Sequence, residues 1–581
     1  MKYTISLLIV ICLFLTGQSF ADPAEAEFRN LKETWILREN GSQEYRCYKE
    51  LTLFTHTAMN STYGETFITY NPEFQKLKIH ASYTKQKDGT IVQTPANAFI
   101  EVLPRQAEKA PAYNHLKEMV IVHTGLELGA TIYLDYSILS EPGYLPEINI
   151  CRELQQTSPI KEYTFSLQAP VSKTIHYATL AFTQRPVEVI KEHQRECIWK
   201  FVNLPARSQA PEVNIQNGDL PAMIVSTYPS IQEALQRLYQ QFDTDPSAEI
   251  TQLAKNLTKE CTSDTEKLET ILSYVRNQIA FCPLPLEETG YRFRAASAVL
   301  QTAYGTEAEK INLLNILLKA CNLHATPFAA YGLNIAPDAC GLKTMKQLVV
   351  RAEAEGKSYW LNIHNTSDAS QDALFLSGLA DGEKITPQSR EKCIRYTATL
   401  NLSAEQQVTA NIEAGFSPTY IPYFKVNPSA FISSLQEPEV NTSSTETVIK
   451  GNSNWQPKEQ NGYLILSLPE TNQGINHSGY AQYNSKRRNR LHVPAPLEET
   501  YQYTIELPSE IQVCTPAVNK KIENKIGELS ITITPNGSTV KIYRKLKLKK
   551  AMITPEEYPD FRQLIVEWNA PNERQLLLNR K

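Results

Sequence analysis

Hydrophobic and polar residues alternate along the first third of the chain as they do in β-strands. Runs rich in tyrosine, isoleucine and threonine occupy residues 45–54, 76–83 and 131–139. Turn-forming pairs such as Asn40-Gly41 and Asp88-Gly89 separate them. From Trp35 to Pro205 the pattern predicts a large antiparallel sheet or sandwich.

The apolar residues between Pro221 and Phe281 then change to helical spacing, which predicts amphipathic helices. Those that carry the spacing are Ile231, Leu235, Leu238, Leu268, Ile271, Leu272, Val275 and Ile279. A further helix is predicted to begin at Thr306 and to run to about Ala320, because Thr306 and Glu309 have the spacing of a capping box.

A hairpin follows that helix in the sequence. Residues 347–354 and 357–364 read as strands joined by the two-residue turn Glu355-Gly356. This register places Gln347 opposite His364, on the same side as Asn362.

The β pattern returns from Cys393 to Lys550, and the polar stretch at residues 437–461 is predicted to loop out of it. A second capping box is predicted at Thr554 and Glu557, with Pro555 at the first helical position. Behind it the apolar stripe of Phe561, Leu564, Ile565 and Trp568 predicts a helix that docks on a core.

Length and composition favour a globular protein of several domains. The chain has 581 residues, 42% of them hydrophobic and 21% charged, which excludes a disordered or fibrous protein. The formal net charge of -4 requires neither nucleic acid nor an anionic membrane as a partner.

The N-terminus has the features of a secretory signal. A positive start at Lys2 precedes an apolar run from Ile5 to Leu15, and Ser19-Phe20-Ala21 resembles a cleavage site. Residues 1–21 are therefore predicted to be removed on export to the periplasm or cell surface. Later stretches are too short or too polar to form a transmembrane segment.

Nine cysteines remain after the predicted cleavage, an odd number that leaves at least one thiol unpaired in a monomer. They are scattered, without a C-x-x-C pair and without a histidine at zinc-ligand spacing. The sequence predicts neither a metal site nor a cofactor.

Two parts of the chain resemble known families. Residues 68–72 (Ile-Thr-Tyr-Asn-Pro), 88–92 (Asp-Gly-Thr-Ile-Val) and 125–129 (Gly-Leu-Glu-Leu-Gly) resemble a bacterial domain of unknown function. That domain usually precedes a transglutaminase-like core in exported proteins of Gram-negative bacteria. Residues 274–279, Gly290-Tyr291-Arg292 and Tyr304-Gly305 resemble that core.

The resemblance implies an α+β multidomain fold. An N-terminal antiparallel β-sandwich-like domain is expected at residues 22–220 and a papain- or transglutaminase-like α+β core at 221–385. A C-terminal β domain with a closing helix is expected at 386–581.

The resemblance also implies where a catalytic triad would lie. An active core reads Tyr-Gly-Asp-Cys-Lys-Asp-Lys, with the nucleophilic cysteine at a helix start, a histidine base on one strand and an aspartate on the next. Here residues 304–310 read Tyr-Gly-Thr-Glu-Ala-Glu-Lys. The three positions fall on Glu307, Gln347 and Asn362.

None of these three side chains suits thiol catalysis. A glutamate at a helix start is expected to stay ionised beside the helix dipole, and glutamine cannot move a proton near neutral pH. One alternative stays open, in which His364 is a displaced base beside Glu307 or serves Cys340. Cys321, at the end of the helix, is expected to be a small buried residue.

The sequence therefore predicts a pseudoenzyme that binds or scaffolds an envelope protein or glycan through a cleft lined by Glu307, Gln347, Asn362 and His364. A cysteine-dependent acyl transferase or amide hydrolase with a relocated nucleophile is one alternative, and a carbohydrate-binding envelope protein is another. The basic run at residues 486–490 is a candidate contact for an anionic glycan or phosphate. The run at 544–549 alternates leucine with charge, as in a half-buried strand.

Overall fold

The computed structural model describes residues 24–213, 215–371, 373–388 and 390–580. The predicted signal at residues 1–21 lies outside them. The described residues form a mostly β protein with several sheets and six α-helices. Two compact units divide the chain: the first holds the described residues up to Arg207 with Pro221–Pro229 and Pro283–Tyr291, and the second holds the others.

The first unit is built of fourteen strands within the described residues. They are β1 (Ala26–Leu37), β2 (Gln43–Leu53), β3 (Glu65–Tyr70), β4 (Gln75–Lys85), β5 (Ile91–Gln93), β6 (Phe99–Val102), β7 (Lys117–Val122), β8 (Thr131–Ser140), β9 (Asn149–Glu153), β10 (Ile160–Pro170), β11 (His176–Leu180), β12 (Val187–Lys191), β13 (Gln194–Leu204) and β14 (Ala222–Ser226).

Eight of these strands form one twisted sheet in the order β12-β13-β10-β1-β2-β8-β4-β5. The predicted runs at residues 45–54, 76–83 and 131–139 lie on β2, β4 and β8, so those predictions are confirmed. Every pairing in the sheet is antiparallel except β1 with β10, which is parallel. Two three-stranded sheets, β11-β14-β9 and β3-β7-β6, complete the unit.

The second unit begins with helices and a smaller sheet. The helices are α1 (Ile231–Tyr239), α2 (Ala248–Thr258), α3 (Asp264–Asn277), α4 (Ala296–Thr302) and α5 (Glu307–Ala320). The strands are β15 (Ala280–Phe281), β16 (Tyr304–Gly305), β17 (His324–Tyr331), β18 (Met345–Ala354), β19 (Lys357–Leu361), β20 (Phe375–Gly378) and β21 (Lys384–Ile385).

The helix predicted at residues 306–320 is confirmed here, and so is the turn of the hairpin predicted at 347–364. The predicted pairing of Gln347 with His364 is wrong, because the second strand ends at Leu361 and the ladder begins with Val350 opposite Leu361. Helix α5 has Thr306 as its N-cap and lies against β17 and β18 of the sheet β19-β18-β17-β20-β21. Strands β18 and β19 turn at Glu355-Gly356 with Ala354 opposite Lys357, as the two-residue loop requires.

The rest of the second unit is a β structure closed by one helix. Its strands are β22 (Lys392–Leu402), β23 (Val408–Phe416), β24 (Gln436–Thr442), β25 (Thr447–Trp455), β26 (Lys458–Gln460), β27 (Tyr463–Ser467), β28 (Leu491–His492), β29 (Leu497–Glu506), β30 (Ile511–Val513), β31 (Val518–Glu523), β32 (Gly527–Asn536), β33 (Thr539–Leu548), β34 (Met552–Ile553) and β35 (Gln575–Arg580). Helix α6 (Tyr558–Trp568) precedes the last of them.

An eight-stranded sheet in the order β24-β25-β23-β22-β29-β33-β32-β31 dominates this region. The loop predicted at residues 437–461 is wrong, because most of that stretch forms β24, β25 and β26. Polar residues suffice for β25 because only one of its faces is buried, through residues such as Thr447 and Ile449. Ladder hydrogen bonds to β23 hold the strand in place.

Helix α6 docks on the core as predicted, with Phe561, Leu564, Ile565 and Trp568 all buried. The capping box predicted before it is wrong. The helix begins at Tyr558 rather than Pro555, and its N-cap residue Glu557 makes no side-chain cap. The Glu557 carboxylate instead accepts a hydrogen bond from the backbone N–H of Thr554 at 3.0 Å, which closes a turn ahead of the helix.

Candidate functional site

The start of helix α5 is held by a buried ionic cluster. The N–H of Thr306 donates to Glu309 Oε2 at 2.8 Å, and Thr306 Oγ1 faces the N–H of Glu309, which completes the predicted capping box. Arg294 donates to both carboxylate oxygens of Glu309, at 2.7 and 3.0 Å. Because Glu309 is fully buried, this bidentate pair orients the first turn of the helix firmly.

Glu307, the first residue of α5, reaches from this turn to the neighbouring strand. Its Oε1 accepts a hydrogen bond from the backbone N–H of Leu348 at 3.1 Å. Burial raises the pKa of Glu307 to about 7, and the bond from Leu348 offsets only part of that rise. Burial thus opposes the ionisation that was expected for this carboxylate.

Gln347 and Asn362 meet beside this bond. Asn362 Nδ2 lies 3.4 Å from Gln347 Oε1, and Gln347 Nε2 donates to the backbone oxygen of Ala369 at 3.0 Å. Asn362 Oδ1 accepts the N–H groups of His364 and Asn365, each at 2.9 Å. Both amides are thus occupied in shaping the chain after β19.

His364 lies at the mouth of the same region, with an exposed side chain. Its ring packs edge-on against Phe281 at 5.4 Å between ring centres. Burial lowers the pKa of His364, and the nearby cations of Lys310 and Arg276 lower it further. The charged groups that act on this imidazole are thus cations, which disfavour its protonation.

Lys310 is a site residue that the sequence did not predict. It is buried one turn after Glu307, and its Nζ donates to the backbone oxygens of Ile279 at 2.6 Å and Arg276 at 3.4 Å. Burial lowers its pKa to about 8, with Arg276 contributing. A lysine among the apolar residues of a helix face is the one signal that could have indicated this role.

None of the nine cysteines within the described residues forms a disulfide. Cys340 is buried with its sulfur 3.8 Å from the backbone oxygen of Ala336. Cys321 is the half-buried C-cap of α5, and burial raises its pKa. Burial also raises the pKa of Cys47 and of Cys197 to about 11. Such thiols are poor nucleophiles.

The two basic runs have structural partners. Arg487 donates to the backbone oxygens of Pro211, at 2.6 Å, and of Asn489, at 3.1 Å, so it holds its own loop. In β33 the predicted half-buried pattern is confirmed, since Leu546 and Leu548 are buried. Arg544 shares their face.

Arg544 differs from the lysines of β33 in that its charge is not exposed to solvent. It is fully buried, its Nη1 lies 2.6 Å from Glu470 Oε1, and its guanidinium stacks on Trp568 at 4.4 Å.

No group of three or more His, Cys, Asp or Glu side chains within the described ranges could hold a metal ion. Helices there are also too short or too polar to span a bilayer.

Two domains of unknown function match the sequence, DUF3857 over residues 39–208 and DUF3858 over residues 463–578. The N-terminal resemblance to a domain of unknown function is thereby confirmed. No curated protein matches the chain.

Among solved structures, the chain is similar to a "putative protease" from Parabacteroides distasonis, with 37% sequence identity over 95% of this chain and 99% of that one, at a TM-score of 0.76. An M1 zinc metallopeptidase from Deinococcus radiodurans also matches, with 10% identity over 46% of this chain and 59% of that chain. Its TM-score of 0.19 carries no argument about fold or function.

Proposed function

The chain belongs to the family of the Parabacteroides distasonis protein, and from that premise we propose that it is an exported, non-catalytic binding protein of the cell envelope. Its middle region is a degenerate transglutaminase-like core. The observation that carries the proposal is that Glu307 bonds to the strand that carries Gln347, while Gln347 contacts Asn362. The three places that the resemblance gives to the triad thus hold neither a thiol, nor an imidazole, nor an aspartate.

The geometry supports a core of this kind. A helix start lies against one strand through the bond from Leu348 to Glu307, and the end of the next strand contacts Gln347 through Asn362. This is the order in which the resemblance places nucleophile, base and orienting group. In this proposal the places of a triad remain, while the side chains in those places are hydrogen-bonded to the backbone.

Binding is the chemistry left to these groups. Near pH 7 the Glu307 carboxyl exists in both protonation states, so it can donate or accept one hydrogen bond. Phe281, with 48% of its surface exposed, adds an apolar wall beside His364. A shaped pocket with a few polar groups suffices for a binding protein, whereas an enzyme needs an activated nucleophile.

The competing function is a cysteine-dependent amide hydrolase or acyl transferase, in line with the name given to the Parabacteroides relative. One observation favours it, since Cys393 lies in the wall of a cavity of about 570 Å³. Against it, burial raises the pKa of Cys393, and the nearby carboxylates Glu391 and Glu498 raise it further. A thiol so surrounded stays protonated and weakly nucleophilic.

Iodoacetamide alkylation across a pH series, read cysteine by cysteine by mass spectrometry, tests the proposal. Every thiol is expected to react slowly or to titrate at or above the usual value of about 8.5. The unfolded protein supplies the matched reference rate for each site. One cysteine that reacts fast with an apparent pKa at or below about 7 would overturn the proposal and identify the nucleophile.

A further inference from the structure

The solvent face of the large C-terminal sheet carries two adjoining cavities of about 570 and 450 Å³. The side chain of Thr397, on β22, lines both of them. Together they form a groove across β29, β22, β23 and β25, which we call the sheet groove. Its size falls within the range of small-ligand sites in proteins.

A glycine and a glutamate shape the first cavity. Gly415 lies on β23 beside Arg395, and a Cβ added to it would lie 2.1 Å from Glu446 Oε1. The absence of a side chain at this position lets the Glu446 carboxylate lie across the strand and pair with Arg395. The pair forms one wall, and the floor of the cavity beside it stays open.

The floor of the sheet groove offers hydroxyl and amide groups. Strand register aligns Lys450, Glu413, Thr397, Gln502 and Tyr543 in one row across five strands. With neighbouring strands about 4.8 Å apart, the row spans about 19 Å. Thr399, Asn411, Asn452 and Thr500 extend the same chemistry on either side of it.

Much of the charge around this floor is neutralised within ion pairs. Lys450 Nζ lies 2.7 Å from Glu413, and Lys545 and Lys547 lie 2.9 and 3.0 Å from the two oxygens of Glu498. Six glutamates and two basic residues line the two cavities. An anionic polymer would therefore be repelled. Because Lys450 and Glu413 of the floor neutralise one another, the floor favours a ligand that hydrogen-bonds without charge.

We propose that the sheet groove binds a linear, neutral oligosaccharide. Sugar hydroxyls both donate and accept, which matches the mixed hydroxyl, amide and carboxylate groups of the row. Tyr543, half-buried at the end of the row, lies on β33 outside the two cavity linings, so a sugar could reach it only by extending past Gln502. The inference rests on the proposed binding function and adds to it a ligand class and a place away from Glu307.

The test is calorimetric titration of the full chain with neutral linear tetrasaccharides, namely a β-1,4-glucan, an α-1,4-glucan and a β-1,4-mannan. The double substitution Thr397→Val with Gln502→Leu removes two groups of the floor from the solvent face. Thr409→Val is the matched control, because Thr409 is exposed on β23 outside the cavities. The loss of two hydrogen bonds to the ligand predicts at least about a tenfold weaker affinity for the double variant.

The expected result is that one glycan binds the unaltered protein and the control equally and binds the double variant at least about tenfold more weakly. Its affinity should change little between about 0.05 and 0.5 M salt, since the ligand is uncharged. The inference is overturned if no glycan binds, or if the double variant binds normally.

The inference that the sheet groove binds a neutral oligosaccharide is also overturned if only a lysine-rich peptide binds, with an affinity that depends on salt. The groove would then be a site for basic peptides. None of these failures bears on the thiol reactivity that tests the proposed function, so the two can fail separately.

Discussion

Glu307 Oε1 accepts a hydrogen bond from the N–H of Leu348 at 3.1 Å, which joins the first residue of helix α5 to the strand that carries Gln347. This contact is a structural link between helix and strand.

The raised pKa of Glu307 makes stability depend on pH. Its folded value is about 7 and its ordinary value 4.5, so the folded state holds the proton more tightly. The stabilisation from this carboxyl is complete below about pH 4.5 and is lost as the pH rises through 7. Glu307→Gln keeps an acceptor for Leu348 and never becomes charged.

Glu307→Gln should therefore raise the free energy of unfolding by up to about 3 kcal/mol at pH 8 and change it little near pH 4.5. Chemical unfolding of both proteins at the two pH values measures this difference. Glu260→Gln, at an exposed position, is the control and should show no such dependence. An equal effect of Glu307→Gln at both pH values would contradict the prediction.

Restoring the nucleophile alone should not restore catalysis. Glu307→Cys is expected to show no turnover, because Gln347 cannot accept the thiol proton and Asn362 cannot stabilise an imidazolium. Ammonia release from a glutamine-containing peptide, and acyl transfer from it to hydroxylamine, measure the activity. The matched comparison adds Gln347→His and Asn362→Asp to the same chain. Robust turnover by the single variant would show that another residue serves as the base.

The hairpin turn that joins β18 to β19 should be sensitive to side chains at Gly356. Its φ is +75°, with nothing within 4 Å of an added Cβ, so backbone strain alone decides the effect. Gly356→Ala is expected to cost about 1 kcal/mol, whereas Gly356→Asn should cost less because asparagine tolerates this conformation. Thermal unfolding, with hydrogen exchange of residues 345–361, compares the two. Equal losses of stability in the alanine and asparagine variants would show that backbone strain at this turn is not the cause of the loss.

The buried pair of Arg544 and Glu470 should anchor helix α6 to the C-terminal sheet. Arg544→Met leaves Glu470 with Arg574 as its remaining ion-pair partner and the backbone oxygen of Trp568 without its donor. We expect a loss of about 3 kcal/mol, seen as a lower midpoint of thermal unfolding. Lys541→Met, exposed on the same strand, is the control and should stay within about 0.5 kcal/mol of the unaltered protein.

Local patterns predicted the elements that carry the candidate site. The capping box at Thr306 and Glu309 and the turn at Glu355-Gly356 each depend on residues close in sequence, and both are present in the structure. The stretch at residues 437–461 was misread because its strands are stabilised by a ladder to β23, which the local sequence does not reveal. The second capping box was wrong for a related reason, since a turn closed by Glu557 can precede a helix as well as begin one.

The sequence by itself determined the start of helix α5 and the two-residue turn between β18 and β19, because both depend on residues that are close in the chain. Only the tertiary structure decided the contact of Gln347 with Asn362 and the electrostatics of the buried charged groups. Burial against β18 raises the pKa of Glu307 and burial beneath α3 lowers that of Lys310, because the loss of solvent depends on residues far away in the chain. The same holds for Arg544, whose neighbours Glu470 and Trp568 come from other segments.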